Sequence, residues 1–216
     1  MRMDRELVAM ALTMIIVTLA LVLVPPLAKG GGIEGPVYNV VKKDGAVEIR
    51  DYQGYITAQV NVSSDYNNAL YSGFMELFNY ISGKNTNKSK ISMTVPVTQE
   101  QKPVSEKIPM TAPVTSEKVK NNEYSISFIM PAKYTLETLP IPEDKNITFN
   151  EIGPHRAAVI SFSGRMDEAL ADKKIAELRE WLDKNNMKPK SNFIMAQFNP
   201  PWIPGFMRKN EIIVAV

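Results

Sequence analysis

The sequence predicts an α+β fold: a pseudo-twofold tandem repeat forming a distorted antiparallel β-barrel with two flanking helices, preceded by an N-terminal transmembrane helix. Three observations carry that expectation. From Val37 onward the apolar positions switch between a period of two and a period of 3.6, as strands interleaved with helices require. The pattern of residues 47–62 (VEIRDYQGYITAQVNV) returns in residues 147–162 (ITFNEIGPHRAAVISF), an offset of 100 that also brings Ala69-Leu70 onto Ala169-Leu170. Residues 7–24 (LVAMALTMIIVTLALVLV) are apolar apart from Thr13 and Thr18, close to the roughly 20 residues that an α-helix needs to cross a bilayer.

From the N-terminus, residues 1–6 form a short tail, 7–27 the membrane anchor, 28–36 a Gly-rich linker and 37–216 the folded domain. Arg2 and Arg5 precede the apolar run, Pro25-Pro26 end it, and Lys29-Gly30-Gly31-Gly32 follow. A cleaved signal segment is the rival reading, although its apolar core usually spans about 7–15 residues. The basic residues ahead of the run orient a single-pass protein with its N-terminus inside and the domain extracytoplasmic.

Within the domain, residues 47–52 alternate like a half-buried strand and 55–62 continue as another. Ser63-Ser64-Asp65 offers side-chain oxygens to the free N–H groups of a helix start. The helix runs to Ile81, where Ser82-Gly83 stops it. Two near-copies of one phrase follow, KISMTVPVTQE at 90–100 and KIPMTAPVTSE at 107–117. Apolar side chains alternate in each: Ile91, Met93, Val95 and Val97, then Ile108, Met110, Ala112 and Val114. Both read as strands, and as antiparallel neighbours, because the connector between them is too short for a parallel crossover. Pro96 and Pro113 cannot donate to a ladder and mark edge or bulge sites. Met93 and Met110 read as core filling, with thioether contact to a ligand as the alternative. Residues 123–130 alternate again, and 131–146 form a surface loop rich in Pro, Glu and Lys. The second half then repeats the scheme, with 192–198 and 211–216 as its last strands. Closing the sheet would remove exposed edges, and the two helices would cover its outside.

Chemistry is sparse in this chain. Net charge is +2 over 216 residues with no Lys/Arg-rich block, which argues against nucleic acid as the partner. The absence of cysteine excludes disulfides, thiolate metal sites and a Cys nucleophile. His155 is the only histidine; it follows Gly153-Pro154, matches Tyr55 in the first half, and reads as an exposed turn residue. There is no Gly-rich phosphate loop and no nucleophile elbow. Asp167-Glu168 stands at a helix start, where negative charge meets the helix dipole favourably. No catalytic or metal-binding residue is therefore assigned.

The two helices differ. On the second, Leu170, Ile175, Leu178, Trp181 and Leu182 make one apolar stripe opposite a charged face, as on an ordinary surface helix. On the first, Tyr66, Leu70, Phe74, Leu77 and Ile81 form the core stripe; Tyr71 and Phe78 widen it on one side and Tyr80 on the other, with only Asp65 and Glu76 charged. Two readings stand: a helix covered on two sides or by another subunit, and a hydrophobic ligand groove flanked by aromatics.

The phrase K-I-x-M-T-x-P-V after a helix, together with FNPPWIPGFMRKNEI at 198–212, resembles the SOUL heme-binding protein family over residues 37–216. The resemblance implies a tandem β/α duplication that forms a distorted barrel, in agreement with the offset of 100. It also implies that heme or another tetrapyrrole binds in an apolar groove beside the first helix. By position, the groove uses Leu70, Tyr71, Phe74, Phe78 and Asn79, with Phe198, Pro200 and Trp202 of the C-terminal loop as the opposing wall. Positions equivalent to Tyr71 and Asn79 are basic in some members and uncharged here. The first half also lacks the histidine that some members offer to iron. Heme is therefore expected to be held by apolar contact and stacking, not through a histidine. The function expected is a membrane-anchored, non-catalytic binding protein for heme or another flat hydrophobic ligand. The alternative is a protein- or membrane-interaction domain. An enzyme acting on small hydrophobic molecules comes third, with no acid–base constellation behind it.

Overall fold

A computed structural model describes residues 33–87 and 104–216. In chain order its elements are β1 (Tyr38–Asp44), β2 (Val47–Tyr52), β3 (Tyr55–Ser63), α1 (Tyr66–Ile81), β4 (Asn85–Thr86), β5 (Val114–Lys120), β6 (Glu123–Ile129), β7 (Ile141–Pro142), β8 (Thr148–Ile152), β9 (His155–Ser163), α2 (Glu168–Lys184), β10 (Ile194–Gln197) and β11 (Lys209–Ala215). The bounds of β3 and β9 differ by 100 at both ends, so the repeat read from the sequence is a repeat of structure.

Among the described residues, nine strands form one antiparallel sheet in the order β1-β2-β9-β11-β10-β5-β6-β3-β8. Without β1 the order is symmetric about the β10–β5 pair, each strand facing its counterpart from the other half. The halves exchange a strand. β2 pairs with β9, placing Tyr52 opposite His155, and β8 pairs with β3, placing Ile152 opposite Tyr55. The short connectors after β2 and β8 therefore cross instead of closing hairpins. A Cβ on Gly54 would stand 3.2 Å from the Ile152 carbonyl oxygen, so a residue without a side chain suits the crossing.

Several expectations are corrected here. The closed barrel is an open, curled sheet, because β1 and β8 remain unpaired along their outer sides. Its edges carry their own protection: β1 has a register shift between Val40 and Lys42 and exposes Lys42 and Lys43, and β8 is short. β1 itself had no counterpart in the sequence reading. The transmembrane anchor assigned to residues 7–27 lies outside the described residues. Among the described residues no helix is long and apolar enough to cross a membrane. α1 and α2 have 16 and 17 residues, and α2 is strongly charged. The membrane-anchored, single-pass localisation is withdrawn accordingly. Of the doubled phrase, the copy at 90–100 lies outside the described residues, and the copy at 107–117 becomes a strand only at Val114. Pro109 and Pro113 remove ladder donors before that point. The Ala112–Pro113 bond is cis. Isolated hydrogen bonds hold this run: Ile108 N to Ile81 O, Ala112 N to Glu34 O, and the Thr111 hydroxyl to Ile129 O.

Both helices cover one face of the sheet. α1 lies over β3 and β6, and α2 over β9 and β11. Ala69 and Leu77 of α1, Leu178 and Leu182 of α2, and Val60, Ile126, Phe128, Ile160 and Ile212 of the strands share one core. Alternation then sends the intervening side chains to the opposite face. There Arg50 makes a bidentate pair with Glu211, at 2.9 and 3.0 Å, with both side chains buried. Burial alone would lower the pKa of Arg50, but Glu211 outweighs it and holds the guanidinium above its ordinary range. Arg50 also donates to Glu48 and to the Tyr52 hydroxyl, and the Tyr38 ring covers it at 4.3 Å.

Close approach of α1 depends on Gly73. A Cβ there would lie 2.6 Å from Ile126 Cγ1 and 3.2 Å from Val60 Cγ2. Gly73→Ala is expected to destabilise the chain by about 1–3 kcal/mol in urea unfolding, although alanine favours a helix by about 1 kcal/mol. Arg50→Met leaves the Glu211 carboxylate without its main partner and should cost about 3–5 kcal/mol. Combining it with Glu211→Leu should restore most of that loss, measured in the same assay.

Candidate functional site

α1 begins where Asp65 accepts a hydrogen bond from Asn68 N at 3.1 Å. That bond holds the Asp65 carboxyl below its usual range. Tyr66, Ala69, Gly73, Leu77 and Tyr80 face the core. Burial pushes the Tyr66 hydroxyl up to about 12, and Gln197 Nε2 donates to it at 3.2 Å. The C-terminal end of α1 is anchored by Tyr80, whose hydroxyl donates to Pro140 O at 3.0 Å, and by Asn85, which donates to Tyr80 O at 2.7 Å.

The other flank of the helix is aromatic and turned outward. Phe74 is half-buried, with its ring edge-to-face on Phe128 at 5.3 Å. Phe78 stacks on Phe74 at 5.8 Å with 11° between the planes, and it is 41% exposed. Tyr71 is 68% exposed. Leu70 is half-buried against the core, and Asn79 is half-buried with its backbone carbonyl accepting from Lys84 N. The helix therefore presents a fixed aromatic ridge, with Phe74 as its footing and Phe78 and Tyr71 as its exposed surface. Charge near it is slight: Glu76 has its pKa raised by burial and by Asp144.

The C-terminal loop is held by contacts of its own. Phe198 is half-buried, with Lys209 Nζ 4.1 Å from its ring centroid. Pro200 is half-buried, and Trp202 is 79% exposed. Arg208 staples the loop, donating to the carbonyls of Ile203 and Pro201. Gly164 N donates to Gly205 O, which ties the loop to the β9–α2 turn. Its link to α1 is the Gln197–Tyr66 bond, at the first turn of the helix. Phe74 and Phe78 lie roughly 12 and 18 Å further along the axis at 1.5 Å per residue. Phe74 and Phe78 thus form one stacked surface, and the strand that leads into the C-terminal loop meets α1 at Tyr66.

Sequence reasoning missed a second aromatic group, on the face away from the helices. His155 was expected to be an exposed turn residue; it is half-buried and stacks on Tyr52 at 5.3 Å and 11°. Tyr55 flanks His155 and Tyr38 flanks Tyr52, and His155 Nδ1 bonds Gly153 O at 2.9 Å. The signal was present in the 100-residue offset, which superposes Tyr55 on His155 beside two connectors of equal length. Among the described residues no group of three or more His, Asp or Glu side chains is placed to hold a metal ion.

A family profile described as SOUL heme-binding protein matches residues 33–215. The chain belongs to this family. Heme-binding protein 1 of Xenopus laevis is 25% identical over 188 residues, which cover 84% of this chain and 92% of that protein. Heme-binding protein 2 of Homo sapiens is 42% identical over 62 residues, 28% of this chain and 30% of that one. Among solved structures, the C-terminal domain of EcmrR aligns over 83% of this chain and 97% of its own, with a TM-score of 0.51 and 14% identity. That last likeness is one of fold.

Arg208→Ala should release the carbonyls of Pro201 and Ile203. Amide exchange at Ile203 and Met207 is expected to accelerate, while global stability stays within about 1 kcal/mol of the parent.

Proposed function

We propose that this SOUL family member binds heme, or another flat tetrapyrrole, on the aromatic flank of α1 as a non-catalytic binding protein. One observation carries the reading: on a helix locked to the core, Phe78 stacks on Phe74 with its outer side open and Tyr71 exposed nearby. Flat rings add to such a stack in offset geometry, each contact contributing about 0.5–1.5 kcal/mol beyond area burial. The names of the two heme-binding relatives support the same ligand class.

Leu70, Tyr71, Phe74, Phe78 and Asn79 are the residues that would hold the disc, with Phe198, Pro200 and Trp202 bordering its end near the first turn. The residues present suit the macrocycle better than the metal. α1 contains no lysine, arginine or histidine, and His155 belongs to the opposite face of the sheet. A tetrapyrrole here is held by stacking and apolar contact, and its carboxylates remain in water.

Titrating the full-length chain with hemin tests the proposal through the Soret band. Saturation at low micromolar hemin is expected, with Phe78→Ala weakening binding roughly tenfold, in line with loss of one aromatic contact. His155→Ala should bind like the parent. A flat Soret response, or an unchanged affinity in Phe78→Ala, would sink the reading.

A further inference from the structure

The two ends of the sheet treat their helix-free faces differently. At one end Arg50 lies opposite Ala157 and Glu211 opposite Ser161 in the strand register. The matching pairs at the other end are Asn150 with Thr57 and Ser125 with Asn61. Asn150 and Ser125 thus stand where the pseudo-symmetry would put the partners of a second ion pair. The end with Arg50 and Glu211 is filled by them and by Tyr38. The other end holds a cavity of about 530 Å³ that reaches the strand crossing.

Three features of that cavity define a ligand. Ser125 lines it and is only 6% exposed, yet its hydroxyl has no hydrogen-bond partner. Alternation on β6 turns Tyr124, Ile126 and Phe128 to the core and Ser125 away from it. A buried hydroxyl left unpaired is destabilising, and a ligand polar atom would satisfy it. The lining includes the half-buried rings of Tyr55 and His155, the latter backed by Tyr52, which offer flat faces to a planar group. Its fixed charge is of one sign: Glu117 and Glu151 line it, and among the described lining residues there is no lysine or arginine. An adjoining cavity of about 570 Å³ shares Tyr55 and Gly153 and adds Glu34 and Glu137. Carboxylates beside aromatic faces favour a cation, and the volume suits a drug-sized molecule. A tetrapyrrole bearing carboxylates would be repelled by Glu117.

We propose that this cavity is a second binding site, separate from α1, for a planar aromatic cation. Its rings stack on Tyr55 and His155, Glu117 balances its charge, and Ser125 donates to it or accepts from it. The pseudo-symmetric scaffold thus carries a built-in ion pair at one end and receives an external cation at the other.

Thioflavin T, a planar cation that brightens when its rings are held coplanar, serves as the probe on the full-length chain. Saturable emission is expected, weakened about fivefold by Glu117→Gln, the value of a partly exposed ion pair. Ser125→Phe fills the cavity and should abolish the signal. Both variants, folded by their melting curves, should keep the Soret response to hemin, and Phe78→Ala should keep the thioflavin T signal. Emission that does not saturate overturns the proposal, as does parental affinity in Glu117→Gln. Loss of the thioflavin T signal in Phe78→Ala also overturns it, since the dye would then sit on α1. If Ser125→Phe does not fold, Glu117→Gln decides alone.

Discussion

The strand exchange between the two halves is the constraint on which this fold depends. β2 finds its partner in β9, and β8 finds its partner in β3, so neither half can complete its sheet by itself. The connectors must pass each other closely enough that Gly54 nearly touches the Ile152 carbonyl. Once they cross, the nine strands run as one surface, both helices fall on the same side, and a single core forms between them. The opposite side holds a smaller cluster around Tyr52 and Val159, the Arg50–Glu211 pair and the cavities beside the crossing.

On this symmetric frame the sequence writes unequal details. α2 is a charged cover whose Trp181 is fixed by a hydrogen bond to Asp44 and by Lys42 above its ring. α1, its counterpart, keeps Phe78 and Tyr71 turned outward and has little charge. The helix-free faces diverge in the same way, one end closed by its own ions and the other open. Symmetry supplies equivalent positions, and substitution makes them different.

Much of the frame was legible because alternation and helical spacing are local. The start of β3 at Tyr55, the start of α1 after Ser63-Ser64-Asp65 and its end at Ile81 all follow from neighbouring residues. Partner choice is not local. A period of two tells which side chains share a face but not which strand lies alongside, so the exchange and the open edges could not be read. The phrase at 107–117 misled for a related reason: its apolar alternation is real, but Pro109 and Pro113 withhold the donors that a ladder needs. At the candidate site, spacing placed Leu70, Tyr71, Phe74 and Phe78 on adjoining parts of one helix. It could not show the staple by which Arg208 holds the loop of Phe198, Pro200 and Trp202, because that hydrogen bonding depends on the folded backbone.

The exchange also sets a clock on folding. Val47 of β2 pairs with Ile160 of β9, so the strand made early must wait for one made much later. At roughly 5–20 residues per second on the ribosome, that wait is on the order of ten seconds. During it β2 has only β1 beside it and its other edge lacks a partner, and the nascent chain has a use for anything that shields that edge. The charged residues of β2, Glu48, Arg50 and Asp51, are then its own protection, before all three enter the ion pairs of the finished sheet.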